Sequence, residues 1–69
     1  MDETRRRIMK NIADEIKQSG KNQSEIAREL GVARSVINDY VCGQSVPTVF
    51  SLIKLCEVLG CTSTDILGV

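Results

Sequence analysis

A chain of 69 residues can bury one small hydrophobic core, so the sequence predicts a single domain over residues 1–69. No apolar run approaches the ~18 residues needed to cross a membrane, and the charged amino terminus predicts a cytoplasmic protein. Nine basic and nine acidic residues cancel, which by itself disfavours binding to nucleic acid, although eight of the basic residues lie within residues 1–34.

Apolar residues spaced three and four apart predict helices rather than strands. The first helix is expected over residues 3–19, where isoleucines form one stripe, and Gly20 ends it. The second helix begins after the N-cap Asn22, with Glu25 placed to complete a capping box. It ends at Gly31, because a glycine adopts the left-handed conformation that terminates helices.

The third helix is expected from Arg34 to Cys42, only three residues after the second helix ends. Two short helices joined by such a turn form a helix-turn-helix, and Ala27 supplies the small side chain needed where they cross. The wedge between them is expected to be filled by Ile26, Leu30, Val32 and Ile37. Solvent is expected to meet Arg34, Ser35, Asn38 and Asp39.

A fourth helix follows the linker at 44–48, with Thr48 as its N-cap and Gly60 as its end. Its apolar face is predicted to consist of Val49, Leu52, Ile53, Cys56 and Leu59. A short fifth helix starts at a second capping box formed by Thr62 and Asp65.

The three cysteines and the absence of histidine weigh against catalysis and metal binding. An odd number of cysteines without an export signal predicts reduced thiols, and their spacing matches no zinc site. Without histidine the commonest general base is missing, so an enzyme is not expected. No cofactor is required, and no small-molecule ligand is expected because no ligand-binding domain is visible. Cys56 and Cys61 are expected in the core, and Cys42 partly exposed.

The stretch QSEIARELGVARSVINDY, residues 23–40, resembles the helix-turn-helix of the phage repressor and Cro (Xre-type) family of transcriptional regulators. The family's Gln, Ala, Gly and aliphatic positions fall on Gln23, Ala27, Gly31 and Ile37. Gly43, Pro47 and VFSLIKLCEVLGCTSTDIL extend the resemblance to residues 8–67. It implies an all-α, compact five-helix lambda-repressor-like DNA-binding domain.

This resemblance implies a sequence-specific regulator, a repressor, that binds double-stranded DNA as a homodimer with its third helix in the major groove. The base-reading residues it implies are Arg34, Ser35, Asn38 and Asp39. Their chemistry agrees, because arginine suits guanine, asparagine pairs with adenine, and a carboxylate accepts from cytosine. The residues expected to contact phosphates are Gln23, Ser24, Lys21, Gln44 and Ser45, with a weaker indication for residues 5–7 and Lys10.

Two departures and one alternative accompany this prediction. Ile16 and Val41 stand where the family often pairs Arg with Glu, so an apolar contact is expected there. Ala33 replaces the usual Ser or Thr cap of the third helix. The alternative is a protein-interaction module of the same fold, antitoxin-like or regulator-sequestering, which zero net charge favours. Separately, Val46 and Phe50 are candidates for a dimer patch.

Overall fold

The computed structural model describes residues 3–68, and within this range the chain forms five α-helices and no strand. They are α1 (Glu3–Gln18), α2 (Gln23–Leu30), α3 (Arg34–Cys42), α4 (Val49–Leu59) and α5 (Ser63–Leu67). The all-α prediction is confirmed, and the helix bounds agree with the sequence pattern to within one residue. Residues 1, 2 and 69 lie outside the described range, so a single domain over residues 1–69 stays a prediction.

Side chains cap the amino termini of three helices as the sequence predicts. The Asn22 side-chain oxygen accepts a hydrogen bond from the Glu25 amide at 2.8 Å, which is the first half of the expected capping box. Both halves form at α5, where Thr62 Oγ1 accepts from the Asp65 amide and the Asp65 carboxylate accepts from the Thr62 amide. Thr48 caps α4 in the same way. Local sequence therefore sets where these three helices begin.

Every helix contributes one large aliphatic side chain that is fully buried. These side chains are Ile12, Ile26, Ile37, Leu55 and Ile66. Each stabilises the fold by roughly 1.5–3 kcal/mol through removal of apolar surface from water. The Asn11 side-chain amide also donates to the Ile66 carbonyl at 2.9 Å, which ties α1 to α5. The core is therefore shared by all five helices.

The prediction for the apolar face of α4 is wrong in part. Val49 and Ile53 are 70% and 52% exposed, whereas Leu55, which the prediction left out, is fully buried. The helix is apolar nearly all round, so residue spacing alone does not decide between its two possible apolar stripes. Packing against α2 and α5 selects the stripe that carries Leu55. Val32, expected in the wedge between α2 and α3, is also exposed.

Candidate nucleic-acid interface

The turn between α2 and α3 is held by backbone hydrogen bonds to one carbonyl. The amides of Gly31 and Val32 both donate to the Ala27 carbonyl, at 2.8 and 3.0 Å. Gly31 has a φ of 80°, which a side chain would strain. Ala27 is buried where α2 meets α3, which agrees with the need for a small residue at the crossing. The angle between the two helices is therefore fixed by local chemistry.

α3 presents two faces of opposite chemistry. Ile37 and Tyr40 are buried in the common core, and Val36 packs against it. On the other side Arg34, Ser35 and Asn38 are exposed, and Asp39 is half-buried. No described element covers the side chains of these first three residues, so the polar face of α3 is open to a ligand.

One side chain on this face has an internal contact. The Cys42 thiol donates a hydrogen bond to the Asn38 side-chain oxygen at a distance of 3.8 Å, one helical turn away. Cys42 itself is exposed. The thiol therefore helps to orient the asparagine, a relation that sequence reasoning missed although the i, i+4 spacing permits it.

A cleft of about 540 Å³ opens beside the amino terminus of α2. Its polar rim is formed by Lys17, Lys21, Asn22, Gln23, Ser24 and Arg34. The wall contains Ile16 and Val41, as expected if an apolar contact replaces the ion pair of the family pattern. The rim combines positive charge with the free amides of a helix start, which is the chemistry that binds a phosphate.

Lys17 is a candidate that sequence reasoning missed. It lies in the last turn of α1, is exposed, and lines the same cleft as Gln23, Ser24 and Arg34. The residues that line the cleft come from α1, α2, α3 and the turn before α2, so only the folded chain brings Lys17 to this cleft. The signal in the sequence is a lysine one residue before the end of α1.

Lys21 has a different environment from the one expected. Its ammonium donates to both carboxylate oxygens of Glu29, at 3.0 and 2.9 Å, and to the carbonyl of Val58 at 2.9 Å. These contacts use the three donors of the ammonium and join α2 to α4. We therefore assign Lys21 a structural role and do not retain it among the proposed phosphate contacts.

The loop after α3 lies against the start of α1. Gln44 is exposed and Ser45 is half-buried, and with Arg5 and Val46 they line a shallow groove of about 630 Å³. Arg5 is thus beside two of the predicted phosphate contacts. This proximity strengthens the indication for Arg5 over the other basic residues of α1, of which Lys10 is paired with Asp14.

The remaining cysteines belong to the interior. Cys56 is buried as predicted, and Cys61 is half-buried next to it. Burial first, then the neighbouring Cys56 and the carboxylates of Glu15 and Asp65, raise the pKa of Cys61 to about 12. This thiol therefore stays protonated at neutral pH and is a poor nucleophile.

A helix-turn-helix with an uncovered polar face on its second helix defines the class of helix-turn-helix DNA-binding domains. The model of the family described as helix-turn-helix matches residues 12–67, so the chain belongs to this family, in its Cro and phage repressor (Xre-like) branch. It is a DNA-binding regulator by family. No curated protein and no solved structure gives a significant match. Within residues 3–68, no helix has the length and apolar character of a membrane span.

Proposed function

We propose that the protein is a sequence-specific transcriptional repressor that works in the cytoplasm as a homodimer and inserts α3 into the DNA major groove. The observation that carries this proposal is the open polar face of α3, held at a fixed angle by Ala27 and Gly31. A major groove about 12 Å wide admits one α-helix. Two such helices related by a two-fold axis would read half-sites about 34 Å apart.

Sequence readout is assigned to the exposed side chains of α3. Arg34 suits the O6 and N7 acceptors of guanine, and Asn38 suits the N6 and N7 pair of adenine. Ser35 lies beside Arg34 and is equally exposed. Asp39 is half-buried, so we give it the smallest share of base recognition, as an acceptor from cytosine N4.

Phosphate binding is assigned to two places that flank α3. At the first, Gln23 and Ser24 start α2 and share the cleft with Lys17. At the second, Gln44 and Ser45 share the groove with Arg5. Such contacts fix the register of the protein on the duplex without reading its sequence. A protein bound in this way represses by occupying the site that another protein requires.

The test compares two arginines of the helix-turn-helix after selection of a binding site from random duplexes. Arg34→Ala should lose roughly 1–3 kcal/mol of discrimination at one base pair, measured by gel shift on single-base variants. Arg28→Ala is the matched control, because it removes the same charge from an exposed position outside the cleft. Equal effects of the two substitutions at every base pair would contradict base reading by Arg34.

The protein-interaction alternative has two observations in its favour: zero net charge and four exposed apolar side chains around the start of α4. The salt dependence of DNA binding separates the two functions. A regulator with several phosphate contacts loses affinity steeply with salt, by a slope of about −0.9 per contact on logarithmic axes. A flat dependence, with one protein co-purifying in stoichiometric amount, would favour the alternative.

A further inference from the structure

The outer side of the first turns of α4 is apolar and uncovered. Val46, Val49, Phe50 and Ile53 are 42%, 70%, 81% and 52% exposed. On a helix, positions 49, 50 and 53 lie on one face, and Val46 precedes them in the linker. We call these four side chains the α4 patch. It contains the one phenylalanine of the chain, and exposed apolar patches of this kind mark contact sites.

The groove between the start of α1 and the linker adjoins this patch. Its lining combines the aliphatic side chains of Ile8 and Val46 with Arg5 and the polar residues of the linker. Val46 belongs both to the groove and to the α4 patch. The volume of about 630 Å³ is ample for one aromatic ring, and Arg5 offers the cation that an aromatic face attracts. One protomer thus carries a projecting ring and a receptor for it side by side.

We propose that the occupant of this surface is a second copy of the chain, with Phe50 of each protomer seated in the groove of the other. This assignment rests on the proposed function, which requires a dimer, and it adds the surface and the contact that form it. A two-fold axis places the same patch on both sides of an interface, so a surface that holds both knob and receptor is self-complementary. A partner of another sequence would need to match only the ring or only the groove, so the presence of both favours a second copy.

The position of the surface agrees with binding to one duplex. The groove is lined by Gln44 and Ser45, which we assign to phosphate contacts. In the proposed binding mode, an interface at this groove would therefore lie close to the DNA. The region from Gly43 to Ile53 carries no charged side chain. Within residues 3–68, Arg5 is the one charged residue that lines the groove, and in the proposed seating it meets the partner's aromatic ring.

The size of the α4 patch sets the strength of the dimer. A phenylalanine offers about 150–250 Å² of surface, so the four side chains at these exposures present on the order of 400 Å² per protomer. The two patches of a pair together present roughly 800 Å², which is below the about 1,000 Å² expected of a stable specific interface and is typical of a weak one. The expected dissociation constant therefore lies between micromolar and millimolar. Neighbouring half-sites on DNA would raise the effective concentration and complete the dimer.

Sedimentation equilibrium of the whole chain without DNA, from micromolar to millimolar concentration, tests the interface. Phe50→Glu should raise the dimer dissociation constant at least about tenfold, since it places a charge in an apolar receptor. Arg28→Glu is the control with the same new side chain, on an exposed position of α2 away from the groove. Circular dichroism should show equal helix content in both, because neither position is buried.

A complementation experiment tests the reciprocal seating. Val46→Lys places a cation in the receptor and should also weaken self-association. An equimolar mixture of Phe50→Glu and Val46→Lys should dimerise again, because the new Glu meets the new Lys in one receptor while an unchanged Phe50 enters the other. If each variant weakens the dimer but the mixture does not recover it, the seating of Phe50 beside Val46 is wrong.

The outcomes separate this interface from the proposed function. A monomer at millimolar concentration, or a dimer that Phe50→Glu leaves unchanged, would overturn the interface even if DNA binding were found. A dimer that depends on Phe50 in a chain that binds no duplex would uphold the interface and overturn the function. Dependence of a different protein's binding on Phe50, without self-association, would also count against a second copy.

Discussion

The outer faces of α3 and α4 are both exposed, yet they differ in chemistry. On α3 the exposed residues are Arg34, Ser35 and Asn38, which keep their hydrogen bonds to water until a ligand replaces them. On α4 the exposed residues include Phe50 and Val49, whose removal from water lowers the free energy. The first face suits the wet, polar edges of DNA bases, and the second suits a protein surface. In the proposed function, consecutive helices thus separate recognition of DNA from recognition of a partner.

The largest expected effect distinguishes the buried side of α3 from the exposed side of α4. Ile37→Ala should lower the free energy of unfolding by about 2–5 kcal/mol, because it empties a fully buried site. Ile53→Ala makes the same chemical change on the α4 patch and should cost less than about 0.5 kcal/mol at concentrations where the chain is monomeric. Urea denaturation measures both. Should the Ile37 variant fail to fold, Ile37→Val, with an expected loss of about 0.5–1.5 kcal/mol, takes its place.

A smaller effect is expected from the cleft beside α2. Lys17→Ala should weaken binding to all duplexes alike, by roughly threefold to tenfold at moderate salt, and reduce the salt slope by about one. It should leave self-association unchanged. Phe50→Glu should instead weaken self-association and leave binding to an isolated half-site unchanged. A change in base preference after Lys17→Ala would contradict a phosphate contact, because it would mean that base reading is not confined to the exposed face of α3.

The smallest effect concerns the start of α3. Ala33 has the extended backbone of an N-cap (φ −71°, ψ 150°) but no side-chain acceptor for the helix amides. Ala33→Ser should therefore stabilise the domain by about 0.5–1 kcal/mol, seen as a higher midpoint of thermal unfolding. Ala33→Val, which adds a side chain without a hydroxyl at this exposed position, is the control, because valine is a poor N-cap. A serine variant no more stable than the valine variant would contradict a gain from the cap.

The sequence was most informative where local chemistry decides the structure. The bounds of α3 follow from glycines at positions 31 and 43, both with positive φ, and the spacing of buried positions follows from Ile37 and Tyr40. Caps and terminating glycines act within a few residues, so they can be recognised in the sequence without knowledge of the fold. This is why the helix-turn-helix was predicted almost residue by residue.

Prediction from the sequence failed where contacts between segments that are distant in the chain determine the structure. The inward face of α4 depends on its packing against α2 and α5, and the spacing within α4 fits two stripes equally well. Lys21 reaches Glu29 and Val58, and Lys17 reaches the cleft of α2, only once the chain has folded. A long flexible side chain has several possible partners, and its sequence neighbours do not choose among them.

The division of α3 into a buried and an open side has a consequence for how such a protein can change. The atoms that hold the helix in place belong to Ile37 and Tyr40, and the atoms that we propose for contact with a duplex belong to Arg34, Ser35 and Asn38. Exchange of the latter group disturbs no packing, since surface substitutions usually alter stability by less than about 0.5 kcal/mol. If the proposed function holds, the preferred operator can therefore be changed, by evolution or by an engineer, on a scaffold that folds as before.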